Sequence, residues 1–119
     1  DNVGGLVDNE LEIFGQRLDA ATGAEVGSND FRISDMGGTG NTTYAAYDPA
    51  VAYNGAHNGY VVVWMGDDDA GGLSDNEIEI FGGFLGADGA TIGPGDMRLS
   101  DMGGTGDNPF AASSPKYAR

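Results

Sequence analysis

Asp67, Asp68, Asp69, Asp75 and Glu77 place five carboxylates, with the Asn76 amide, in one short stretch that also holds Gly71 and Gly72. Oxygen donors at this density suit a hard cation, and calcium takes about six to eight of them at about 2.3–2.6 Å. Glycines in such a loop leave backbone carbonyls accessible as further ligands. Like charges this close also repel, so the loop is expected to fold best around a cation. The start of the chain holds a partial copy, in which Asp8 and Glu10 are the equivalent ligands, beside Asp1, Asn2 and Asn9. The spacing is not that of an EF-hand. A solvated acidic loop is the competing reading.

Other residues invite chemistry less. Glu10 with Glu12, and Glu77 with Glu79, put paired acids on one strand face, and paired acids can run glycoside hydrolysis. They recur in each unit, whereas an active site is usually built once, so a structural or cation role is preferred and no enzyme is expected. Asp35-Met36-Gly37-Gly38-Thr39-Gly40 and its copy at residues 101–106 are Gly-rich like phosphate loops. They lack the lysine and open no helix; Met36 and Met102 are expected to pack inward from plain turns. His57 is the single histidine, in a tight turn and far from any Ser-His-Asp pattern. Trp64, Tyr47 and Tyr60 could stack on sugar rings, although Trp64 is expected to pack between blades.

Composition narrows the partners. The 119 residues include 22 Gly and no Cys, and 19 acidic residues against five basic ones give a net charge of -14. Nucleic acid and anionic membrane surfaces both call for clustered Lys and Arg, so neither is expected as a partner. Thiolate metal sites and disulfides are excluded. No apolar run reaches the length of a membrane-spanning helix. No basic-then-apolar start is present, so any secretion signal is expected to be removed or to lie outside this sequence.

The elements that must position these groups repeat. Residues 4–15 return as 71–82, a shift of 67, and residues 30–40 return as 96–106, a shift of 66. The lost residue falls in the turn between the blocks. Turn signals and β-branched and aromatic runs predict strands at 10–18 and 31–34 in the first copy. The later unit is predicted to have four, at 49–53, 60–65, 77–85 and 97–100. Residues 19–27 should connect a hairpin, with Gly23 at positive φ. The expected fold is all-β, built of antiparallel four-stranded units like propeller blades, with a β-solenoid or a sandwich as alternatives. In this division residues 1–41 are a partial unit, 42–107 a complete one, and 108–119 the start of a third.

The complete unit resembles bacterial repeat proteins with propeller-like blades, whose units combine a "PAVAYN" strand, a "YLVVW"-type strand and a "DNEFEIFGQRLDAATG"-type hairpin. The matching residues are 49–54, 60–64 and 8–23, with 75–89 as a second hairpin copy. The resemblance implies large secreted or cell-surface proteins and no particular activity. The expected function is a calcium-stabilised structural or adhesive module of an extracellular protein. Partners would be copies of itself or adjacent repeats, joined head-to-tail through strand edges into an oligomer or filament, with residues 115–119 near residues 1–10 of a neighbour. A glycan-binding module is the alternative.

Overall fold

Asp19 and Gly23 turn the chain back on itself and define the first hairpin. The Asp19 carboxylate accepts the Ala21 and Thr22 amides at 2.9 and 2.8 Å and the Thr22 hydroxyl at 3.0 Å. Gly23 takes a φ of 73°, which a side chain would resist. The Asp19 amide then closes the turn on the Ala24 carbonyl at 2.8 Å. Strands β1 (Phe14–Leu18) and β2 (Glu25–Arg32) flank it as an antiparallel pair. The computed structural model describes residues 5–68, 73, 77–102 and 115. It continues with β3 (Ala46–Asn54), β4 (Gly59–Gly66), β5 (Glu79–Gly86) and β6 (Thr91–Arg98).

These last four form one antiparallel sheet in the order β3-β4-β5-β6. The architecture is all-β, a two-stranded hairpin plus a four-stranded sheet, with no α-helix and no propeller among the described residues. The sequence-predicted strands are found, with altered ends. β2 and β6 begin at Glu25 and Thr91, six residues before the predicted starts at 31 and 97. A bulge hides their first halves from an alternation rule. Pairing jumps from Arg17↔Val26 to Gly15↔Phe31, and at the equivalent place from Phe84↔Ile92 to Gly82↔Met97. Gly27 and Gly93 take φ of 80° and 70° inside these bulges, where one strand carries extra residues and bends. The third-unit segment is, apart from Pro115, outside the described residues, as are residues 1–4 and 103–108.

Antiparallel partners share a face. The register Trp64↔Phe81, Val62↔Gly83 and Tyr60↔Leu85 therefore gathers these side chains on one face of the four-stranded sheet. That face packs on the hairpin layer. Trp64, Val62, Phe81 and Leu85 form one buried cluster with Ile13 and Met36, against which Phe31, Ile33, Tyr44 and Tyr60 also pack. Polar ties cross the same junction: Ala46 N–H donates to the Leu11 carbonyl at 2.9 Å, and Arg17 Nη1 to the Asp88 carbonyl at 3.1 Å. Two strands cannot cover four, so a cleft of about 600 Å³ remains beside β1, lined in part by Val26, Phe31, Val51 and Tyr60.

The two copies differ in what covers them. Met36 is fully buried, as the sequence predicts, but Met102 is 45 % exposed. Met36 lies against the four-stranded sheet, with its Cε near Gly66. Met102 follows the last strand on that sheet's outer side and has no such layer against it among the described residues.

Candidate functional site

The acids bind backbone. Glu12 Oε1 accepts the Met36 amide at 2.8 Å, and its Oε2 accepts the Ser34 hydroxyl; Ser34 Oγ in turn accepts the Ile13 amide at 2.8 Å. The same latch is built again in the second copy. Glu79 Oε1 accepts the Met102 amide at 2.7 Å, Oε2 accepts the Ser100 hydroxyl, and Ser100 Oγ accepts the Ile80 amide at 2.8 Å. Each latch fastens the segment after the second hairpin strand to the start of the first. Burial raises the Glu12 carboxyl to about 7, against the pull of the Ser34 hydroxyl, the Met36 amide and Arg32.

Glu10 holds the Gly-rich loop. Its carboxylate accepts the Val7 amide at 2.9 Å and the Gly40 amide at 2.8 and 3.0 Å. Desolvation opposes its charge, but the Val7, Gly40 and Asn41 amides, helped by Arg32, outweigh that and hold the carboxyl below its ordinary range. Asp67 Oδ1 accepts the Ala45 amide at 2.9 Å, and Asp68 Oδ1 the Gly37 amide at 3.1 Å. The Asp96 carboxylate receives the Asp35 amide at 3.2 and 3.1 Å. Burial, with the nearby charges of Asp68 and Asp35, raises Asp96 to about 6 even though the Asp35 amide and Arg32 pull the other way. Arg32 pairs with Asp35 at 3.3 Å and donates to Thr39 Oγ1 at 3.0 Å.

Of the carboxylates expected to ligate calcium, Glu10, Asp67, Asp68 and Glu77 are buried and Asp8 is exposed. Asp69 and Asp75 lie outside the described residues. No three acids or histidines among the described residues come together as a metal-holding group. Of the paired acids, Glu10, Glu77 and Glu79 are buried and Glu12 is half-buried. His57 is exposed in the turn between β3 and β4. Trp64 is fully buried between the layers and offers no face to a sugar. Ser34, Ser100 and Asp96 were not marked as functional by the sequence. The available signal was the return of Glu12 and Ser34 as Glu79 and Ser100 within the repeated blocks.

No family model matches the chain, and neither a curated protein nor a solved structure matches it.

Proposed function

We propose that the chain is a structural repeat module, a stack of blade-like antiparallel sheets that assembles head-to-tail with further units of its kind. The observation that carries this reading is the doubled latch. Glu12–Ser34–Met36 and Glu79–Ser100–Met102 spend a half-buried and a buried carboxylate on backbone amides at equivalent places in successive layers. A reactive centre concentrates such groups once, in a cleft. A serial scaffold repeats them, because each unit needs the same loop fastened. The resemblance to bacterial surface repeats supports an extracellular setting, where an acidic surface keeps an array soluble.

Calcium belongs to this proposal at the loop of Asp67, Asp68, Asp69, Asp75 and Glu77, with Asp8 and Glu10 as the first-copy counterpart. Each carboxylate has room for about four donors or cation contacts, so accepting an amide leaves a bridging role open. The test is thermal melting and sedimentation with added calcium and with chelator. Calcium at about 100 times its Kd stabilises a folded state by about 2.7 kcal/mol. Identical melts in calcium and chelator remove the cation from the reading. A compact monomer at every concentration and in both solutions removes self-assembly.

A further inference from the structure

We propose that the outer face of the four-stranded sheet is a docking surface for the inner, Trp64-type face of another unit of this repeat. This rests on the structural-module reading and names the surface through which such units join. The register lays two full rows of apolar or glycine positions across that outer face. They are Ala52–Val61–Phe84–Ile92 and Ala50–Val63–Gly82–Met97. Phe84, Ile92 and Leu99 are 46, 54 and 56 % exposed. Contiguous apolar surface of this kind on a chain with a charge of -14 marks an interaction site.

The molecule contains its own template for the occupant. By the repeat, Ile80, Gly82, Phe84, Ile92, Met97, Leu99 and Met102 stand where Ile13, Gly15, Arg17, Val26, Phe31, Ile33 and Met36 stand in the hairpin. The β-bulges fall at the same places in both, so the two faces have the same shape. In the hairpin, Ile13, Phe31, Ile33 and Met36 pack on Val62, Trp64, Phe81 and Leu85 of the next sheet. The matching face of the four-stranded sheet therefore fits another Val62–Trp64–Phe81–Leu85 surface. It is also the more apolar version: Phe84 replaces Arg17, exchanging one hydrogen bond to the Asp88 carbonyl for ring area. One polar tie transfers directly. Asp35 N–H donates to the Asp96 carboxylate across the existing junction, and Asp101 N–H is placed to donate to the Asp96 equivalent of the incoming unit.

The chain has no cysteine, so a single introduced thiol reports burial at its own position. Residues 108–119 align with 42–53, and repeating residues 54–102 after Arg119 adds one complete unit in phase. In the 119-residue chain, Leu99→Cys is expected to react rapidly with a thiol reagent and Ile33→Cys slowly. In the extended chain, Leu99→Cys should slow at least about tenfold, to the rate of Ile33→Cys. Unchanged Leu99→Cys reactivity, while β-sheet circular dichroism grows in proportion to length, would overturn the docking surface and leave the module reading standing. Failure of the added unit to fold would overturn both. A third outcome is concentration-dependent protection of Leu99→Cys in the unextended chain, with Leu18→Cys on the hairpin's far face still reactive. That would mean two outer faces pair with each other, and it would also sink the proposal.

Discussion

Ser34→Ala should unfasten the first latch. Ser34 is 1 % exposed, and its hydroxyl both accepts the Ile13 amide at 2.8 Å and donates to Glu12. Removing it strands a buried N–H, at a cost of about 1–3 kcal/mol, and deletes a hydrogen bond to a carboxylate, nominally worth about 1.5–3 kcal/mol. Glu12 is only half-buried and keeps the Met36 amide at 2.8 Å, so the second loss falls at or below the low end of its range. The sum is about 2–4 kcal/mol. At roughly 4 °C per kcal/mol for a chain of this size, melting should fall by about 8–16 °C. The assay is calorimetric melting, with amide exchange read at Ile13. Ser100→Ala removes the matching bonds to Ile80 and Glu79, but Ser100 is half-buried and water replaces part of the loss, so its drop should be smaller. Glu12→Gln is the control, because the amide can still accept from Met36 and donate to Ser34 Oγ; it should cost under about 1 kcal/mol. If Ser34→Ala melts within a degree or two of the parent, with Ile13 equally protected, the latch is not what holds the loop.

Three further outcomes follow from the same geometry. Glu12 and Asp96 hold their protons up to about 7 and about 6, above the ordinary 4.5 and 3.8. The stability they contribute is full below those ordinary values and is lost as pH rises through the folded ones. Melting should therefore be higher at pH 5 than at pH 8, by about 1–2 kcal/mol after allowance for partial solvent screening. Glu12→Gln should flatten the profile, and a reversed slope in the parent would refute the assignment. Gly37→Ala should destabilise by more than about 2 kcal/mol in urea titration, because φ is 71° and the new Cβ would sit 2.4 Å from Tyr44 Cδ2. Gly38→Ala, at φ 82° with open space around it, should cost only the backbone strain of about 1 kcal/mol; equal costs would contradict the packing. Trp64→Ala removes the largest fully buried side chain and should cost about 3–5 kcal/mol, and a loss below about 1 kcal/mol would show that the two layers do not depend on it.

Strands were legible where side chains alternate against a core. The apolar run from Tyr60 to Met65 reads as an inner strand covered on both faces; β3 and β5 do flank it and Val62 and Trp64 are buried against the hairpin, but Val61, Val63 and Met65 on the other face are only half-buried. β2 and β6 were half-legible, since Gly27 and Gly93 sit in bulges that look like turns to a rule of period two. The acids are ambiguous in a particular way. Carboxylate density signals a cation and a buried amide acceptor equally well, and the distinction lies in which N–H groups arrive from afar. Gly40 reaches Glu10, and Met36 reaches Glu12, across more than twenty residues of sequence. Asp96 was invisible for the same reason, as its partner Asp35 belongs to the other copy. Burial of Met36 and exposure of Met102 depend on which neighbour is present, which local pattern does not record.

The hairpin tips are the one place where the copies disagree in length. The first closes from Asp19 to Ala24 and the second from Gly86 to Ala90, each at 2.8 Å, with the strands beyond them in equivalent register. A residue can thus be gained or lost there without disturbing the pairing behind it. The first tip is solvent-exposed throughout, and loop lengthening at such a position costs little closure entropy. Short peptides inserted between Thr22 and Gly23 should be carried outside the packed layers, whereas the second tip is committed to the junction, with the Asp88 carbonyl on Arg17 and Gly89 beside Phe31. In a longer run of units, the same position would become a regularly spaced row of attachment points along one rim, with the Glu–Ser latches left on the opposite ends of the strands.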